Sequence, residues 1–556
     1  MLTLLSRIEQ AARSARTVVF VDGDEFDSTT WSALYDDACD MAAGLQALGI
    51  APGDHVAILG PTTRSLVTAI ESVWLAGGCL VMLPLPMRLG SIDLFVEQTR
   101  ARIATADVSL VVIDPQLAEF IEPRAGDPTF VTFDEIAAAC PGRAHYRRPA
   151  DDPSATAVLQ FTSGSTSDPK GVVLQHRQIC ANLDGAIEAS GVRAEHDVMV
   201  SWLPLYHDMG LIGLLTIPMT TGSGLVLGAP QDFLARPSRW MEWVSKYGGT
   251  ITAGPNFSYV LAARSLRRAS DLDLSSLEIV LNGAEPIDPA SFRSFFEAGE
   301  KFGLRSTSAF AAFGMAELCI AGCFPARGQG LRTDVVDGRL LEHDHIAVPV
   351  AAGSVNAREL AILGKPVAGL EMRIVDPTSD KVVGDRVVGE LQIRGTSLTP
   401  GYYRQPEASA ELLADGWLHT GDLAYFVDGD MIMCGRIKDV IIIGGRNIHP
   451  QDIERVVGSI EGVRTGNVIA FGVAGRRSSQ HIVVVAETKS PDIEMLTKEI
   501  TRVVTDDIGV PPRHVVMVGP GTIPKTSSGK LQRSACRFMY ESGEMSSATL
   551  VSTGAA

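Results

Sequence analysis

Lysine and arginine are too few to make this chain basic: 48 of them stand against 65 acidic residues in 556, a formal charge of −17. A surface of that sign repels phosphate backbones, which argues against nucleic acid as a partner. Cysteine is sparse and scattered. There are eight, and the one close pair, Cys319 and Cys323, has neither a second pair nor histidines at zinc spacing. Free buried thiols in a reducing, cytoplasmic setting are expected instead. The first residues lack an uninterrupted apolar core, because Arg7, Glu9 and Arg13 break the stretch Met1 to Arg16, so no export signal is expected. Nor is there a spanning segment of about 20 apolar residues. The most apolar long window, Leu211 to Pro230, contains Pro218, several glycines and three threonines, and reads as buried interior. Internal repeats are also missing.

What is present is an ordinary globular composition, 46% hydrophobic and 20% charged, on a chain too long for one core. Strand-like runs at His55 to Leu59, Leu110 to Ile113, Val198 to Trp202, Leu225 to Leu227 and Glu278 to Leu281 alternate with longer helix-like segments. That alternation predicts an α/β fold of layered sheets and helices. From Val367 onward the pattern changes to short strands between turns, at Glu371 to Val375, Gly389 to Ile393 and Asp430 to Cys434. A β-rich subdomain over about 364–435 would close a large N-terminal unit, residues 1–435. A small, mobile α+β unit would follow over 436–556, with a helix at Gln451 to Ile460, a strand near Ile482 to Glu487 and a helix at Ile493 to Thr505. The Ser-, Thr-, Gly- and Ala-rich tail 541–556 is expected to fray.

Six constellations carry chemistry. The stretch Phe161-Thr162-Ser163-Gly164-Ser165-Thr166-Ser-Asp-Pro-Lys170-Gly171 follows an apolar run and packs glycines, hydroxyls and one lysine into a turn. Such a loop can approach and hold polyphosphate, though a solvent-exposed linker would have the same composition. It is not a Walker A loop, since Gly164 precedes Lys170 by six and Gly171 follows it. Trp202-Leu-Pro-Leu-Tyr206-His207-Asp208 sets a histidine beside a carboxylate, a pairing that is by itself more often a satisfied core or surface residue than a catalyst. Asn282-Gly283-Ala284-Glu285 follows a strand, where open α/β sheets place ligands, or is a plain turn. Ala312-Phe313-Gly314-Met315-Ala-Glu317 offers an aromatic face and a carboxylate suited to Mg²⁺ near phosphates, or starts a helix on a core phenylalanine. Asp422 with Arg436 suits the hydroxyls of a ribose, or forms a surface ion pair. Ile523-Pro-Lys525-Thr-Ser-Ser-Gly529-Lys530 is a short loop ending in a lysine able to reach a phosphate or carboxylate.

Taken together and in this order, these residues resemble the adenylate-forming superfamily of acyl-CoA synthetases, nonribosomal adenylation domains and luciferases, over about Leu34 to Arg537. The wording of Trp202 to Leu211, Gly254-Pro-Asn-Phe257 and Gly445 to Glu454 is similar to that of the fatty acyl-AMP ligases. The polar segment Leu331 to Leu363, with Asp337 and Leu341 to Val348, resembles their insertion, which in that family restrains the C-terminal domain from the CoA-using pose. The resemblance implies ATP, Mg²⁺ and a fatty acid as reactants, an acyl adenylate as product, and an acyl carrier protein or a polyketide synthase carrier domain as acceptor. It further implies the following roles. Thr162, Ser163, Gly164, Ser165, Thr166, Lys170 and Gly171 would hold the β- and γ-phosphates. Gly283, Ala284 and Glu285 with Phe313, Gly314 and Met315 would hold adenine, and Asp422 with Arg436 the ribose. Glu317 would bind Mg²⁺, Lys530 would bridge the carboxylate and α-phosphate, His207 would gate the acyl entrance, and Lys438 would serve as hinge. The alternative is a fatty acyl-CoA ligase, with CoA as added co-substrate. A nonribosomal adenylation domain is disfavoured because no carrier domain follows Arg537 and no acidic residue is evident for an amino group. A degenerate nucleotide-binding regulator is disfavoured because Lys530, Glu317, Asp422 and Arg436 are all present.

Overall fold

The structure, a computed structural model, describes every residue except 1–2, 86–91, 122–123, 162–169, 444–445, 475–479, 527–529, 548–549 and 553–556. The fold is α/β, as the alternation of strand and helix patterns predicts. Among the described residues, one sheet runs in the order Ala309–Ala311, Ile279–Asn282, Ile251–Gly254, Val198–Ser201, Gly224–Gly228, Thr17–Asp22, Glu25–Thr30, parallel except at the last pair. A second runs Thr129–Val131, Leu110–Ile113, His55–Leu59, Cys79–Met82, Thr156–Phe161, Gly171–Gln175, again antiparallel only at its last pair.

A helix packed between two sheets is buried all round, and Arg64–Ala76 is: every residue from Leu66 to Ala76 is buried, most of them apolar. Its Trp74 donates through Nε1 to the carbonyl of Ala157 in the second sheet, while Trp31 of the helix Trp31–Ala47 donates to Ser223 beside the first. One continuous core results, joining side chains of both sheets.

Beyond Val367 the short strands pair antiparallel: Leu370–Val375 with Gly389–Gly395, that strand with Trp417–Val427, and the last with Asp430–Arg436. A further sheet is built from Val463–Ala474, Gln480–Thr488 and His514–Val518. Alternate residues of Gln480–Thr488 feed two separate cores. Ile482, Val484 and Ala486 pack with the helices Pro450–Gly458 and Ile493–Ile508. Val483 and Val485 pack with Ile523 and with Cys536 of the helix Arg533–Glu541. In the tail, Leu550–Ser552 pairs antiparallel with His514–Val518. All eight cysteines are free, and no helix among the described residues is long and apolar enough to cross a membrane.

The N-terminal helix Leu4–Ala11 buries Leu4, Leu5, Ile8 and Ala11. It is fastened by Arg7, which pairs with Asp184 at 2.7 Å, and by the Leu4 amide, which donates to Nδ1 of the buried His176 at 3.4 Å. That bond requires an unprotonated Nδ1. Burial holds the His176 ring down at about 4, well below the ordinary 6.5. The unfolded chain therefore takes up a proton near pH 6.5 that the folded chain refuses until about pH 4. Stability from this group is complete above pH 6.5 and lost as pH falls through that window, by about 3 kcal/mol in all. Urea unfolding followed from pH 7 to pH 4 should show this loss, and the slope should diminish in His176→Gln; an equal slope in the variant contradicts the assignment.

Candidate active site

Parallel strands of both sheets end on one cleft, lined by Phe161 from the second sheet and by Gly283 and Ala312, which follow strands of the first. It encloses about 2580 Å³, well above the roughly 300–1,000 Å³ of an ordinary ligand pocket, so it has room for more than one reactant.

One wall is a pair of close backbone approaches. A Cβ on Gly283 would lie 3.0 Å from the carbonyl oxygen of Ala312, and one on Gly314 would lie 1.9 Å from that of Ile320. Ala284 is held at φ +70°, a left-handed conformation that a non-glycine residue adopts at some strain. Phe313–Gly314 is a two-residue strand rather than a helix start, and the turn of 3₁₀ helix Ala316–Leu318 follows it. The Glu285 carboxylate accepts the backbone N–H of Phe257 at 2.9 Å, at the first turn of the helix Asn256–Arg268. Burial pushes that carboxyl up, against the pull of this bond and of Lys530.

Glu317 is buried beside this wall. Its carboxyl is pushed up by burial, opposed by the Tyr402 hydroxyl, which donates to Oε1 at 2.9 Å. The Lys170 ammonium sits 4.8 Å from the centre of the same Tyr402 ring. Two backbone bonds tie the surrounding segment down: Thr399 N–H to the Glu317 carbonyl, and Tyr403 N–H to the Gly171 carbonyl. Tyr402 thus joins the lysine after the glycine-rich loop to the carboxylate read for Mg²⁺. No local motif marks it, because its two partners lie far from it in sequence and nothing in Gly401-Tyr402-Tyr403 is distinctive. Thr162, Ser163, Gly164, Ser165 and Thr166 lie outside the described residues. One carboxylate plus substrate phosphates is a usual Mg²⁺ arrangement. Among the described residues no group of three or more acidic, histidine or cysteine side chains could hold a metal by itself.

Asp422 and Arg436 face each other across paired strands, with Arg436 Nε donating to Asp422 Oδ1 at 2.8 Å. The carboxylate is buried, and burial raises it against the opposing pull of Arg436. Glu390 braces the strand just before it, where the pairing register shifts, accepting the N–H of Gly421, which has φ +67°. Lys438 follows in the turn Ile437–Asp439, its ammonium lowered by burial and by Arg436.

The last component arrives from far along the chain. Lys530 Nζ donates to Nε2 of His207 at 3.0 Å, and His207 Nδ1 lies 2.5 Å from Asp208 Oδ1. Since the ammonium can only donate, Nε2 is the acceptor in that contact, while the Met209 backbone N–H approaches Nδ1 at 3.2 Å. Burial alone would raise the Asp208 carboxyl, yet His207 and Lys530 hold it below the ordinary range; burial lowers Lys530 in turn. Beyond His207 the lining becomes apolar, with Met209, Leu214 and Ile217 joined by Phe257, Val260 and Leu261.

Residues 331–363 form an antiparallel pair, Thr333–Asp337 with Ala357–Ala361, around the helix Gly338–His343. They reach residues beyond 436: Glu342 pairs with Arg446 at 2.9 Å, Arg358 with Asp452 at 3.1 Å, and His345 with Asn447 at 3.1 Å.

With the fold and these groups in place, the comparisons agree on the class. Residues 8–403 match the AMP-binding enzyme family, and the chain belongs to it, as an adenylate-forming ligase. A protein of Mycobacterium tuberculosis named as a ligase is 39% identical over 91% of this chain and 93% of that protein. A protein of Caulobacter vibrioides named as an acyl-CoA synthetase is 34% identical over 94% and 92%. The long-chain-fatty-acid–AMP ligase FadD26 of M. tuberculosis is 32% identical over 93% and 92%. A solved structure from a study of fatty acyl-adenylate ligases from E. coli and L. pneumophila superposes with a TM-score of 0.91 at 30% identity, over 98% of this chain and 99% of that one.

Proposed function

We propose that this enzyme activates a fatty acid with ATP, forming an acyl adenylate and pyrophosphate, and passes the acyl group to the phosphopantetheine thiol of a carrier protein. The observation that carries the reading is the contact of Lys530 with His207, which sets a lysine between a polar nucleotide-sized wall and an apolar arm. A carboxylate oxygen attacks the α-phosphate and pyrophosphate leaves. Both reactants are anions, so positioned cations and exclusion of water are what lower the barrier.

In this reading Lys530 spans the carboxylate and α-phosphate, and His207 lines the entry of the acyl chain. Asp422 and Arg436 hold the ribose, while Gly283 to Glu285 and Phe313 to Met315 flank the adenine. The loop 162–171 takes the β- and γ-phosphates. Glu317 would hold Mg²⁺, which when bound neutralises phosphate charge. The Glu285 carboxylate acts through the Phe257 amide, fixing the wall rather than touching the base. Residues 1–435 and 436–556 are the two units, with Lys438 at their hinge. The ion pairs from 331–363 to Arg446 and Asp452 support a restraint on rotation toward a CoA-using pose.

The second reading, a fatty acyl-CoA ligase, is favoured by the name of the Caulobacter relative. Incubating the enzyme with ATP, Mg²⁺ and fatty acids, with CoA or with a phosphopantetheinylated carrier protein, separates the two. Mass spectrometry should find acyl adenylate, and thioester on the carrier; acyl-CoA accumulating as fast as adenylate would establish the second reading instead.

A further inference from the structure

Gly213 sits inside the eight-residue π-helical segment Met209–Thr216, where glycine carries an entropic cost. Gly210, in the same segment, has a packing reason: a Cβ there would lie 2.2 Å from the carbonyl oxygen of Pro204. Gly213 has none. Its φ is not left-handed, and a Cβ built on it meets no atom within 4 Å. The open space belongs to the cleft, which Gly213 lines together with Leu214, Ile217, Val260 and Leu261. Leu234, 40% exposed, and the exposed Arg264 also line it, so this apolar arm reaches solvent at its outer end.

We propose that Gly213 is the aperture of the acyl passage: the missing side chain leaves the width that lets a long chain run past the π-helical segment toward solvent, and the position sets the longest chain accepted. The inference rests on the fatty-acid reading above. A side chain here would narrow the passage without straining the backbone, so the variants needed to test it are compatible with the fold.

The test is fatty-acid-dependent pyrophosphate release by the full chain, for straight-chain acids from hexanoate to hexadecanoate, with Gly213→Ala and Gly213→Leu beside the native protein. In Gly213→Leu the ratio of kcat/KM for hexadecanoate to that for hexanoate should fall by about tenfold or more, through KM for the acid, the scale on which a few methylenes are discriminated in an apolar pocket. Gly213→Ala should shift the ratio less and in the same direction, and it serves alone if the leucine variant does not fold. An unchanged ratio in folded variants overturns the aperture, as does an equal loss at every chain length. A native protein inactive with every fatty acid removes the underlying reading and this inference with it.

Discussion

Lys530→Ala is expected to lower fatty-acid-dependent pyrophosphate exchange by about a hundred- to a thousandfold, the scale seen when one preorganised donor to developing charge is removed. ATP affinity should change little. In the proposed reading the nucleotide rests in the ground state on the walls at Gly283, Gly314 and Asp422, whereas Lys530 comes from the far end of the chain and meets His207 at 3.0 Å. Its charge matters most as the carboxylate closes on the α-phosphate, so the loss belongs in kcat. Exchange assays paired with calorimetric ATP titration separate the two quantities. A variant that keeps most of its exchange would sink the role given to this lysine.

Asp422→Ala should act in the opposite way, raising KM for ATP by about a hundredfold, or roughly 3 kcal/mol, the worth of losing hydrogen bonds to a charged acceptor. The Asp422 carboxylate is buried and paired to Arg436 at 2.8 Å. Removing it takes away the partner that orients the guanidinium and, in the proposed reading, the acceptor for ribose hydroxyls. At saturating ATP, kcat should stay within a few-fold. An unmoved KM together with a collapsed kcat would place this pair at the chemistry rather than at the sugar.

These residues were legible in the sequence to unequal degrees, for physical reasons. Buried parallel strands read as short apolar runs, and those at His55–Leu59 and Leu110–Ile113 have in the fold the bounds expected of them. Helix ends were less distinct: the helix expected to stop at Thr505 runs to Ile508, where Gly509 supplies a left-handed cap. The window from Leu211 is apolar all round, so it carries no period, and the π-helical turn inside it could not be read from hydrophobic pattern. Polar groups that act on other polar groups were the least visible. Tyr402 meets Glu317 across 85 residues, Glu390 meets Gly421 across 31, and Glu285 serves a helix 28 residues upstream. Each pairing is created by sheet topology, which no local motif records.

The same contrast separates Gly314 from Gly213. The first is glycine because a backbone oxygen occupies the place of its Cβ, the second although nothing does. Only coordinates distinguish a glycine required by packing from one that leaves room.

In the proposed reaction a fatty carboxylate attacks the α-phosphate of ATP, so one of its own oxygens passes into AMP. Supplying a fatty acid labelled with heavy oxygen in its carboxyl group, trapping the product with hydroxylamine at the acyl carbon, and weighing the released AMP tests this directly. Attack at the α-phosphate predicts one labelled oxygen in AMP, with unlabelled pyrophosphate as the other product. Unlabelled AMP, or label recovered in pyrophosphate or inorganic phosphate, would contradict it.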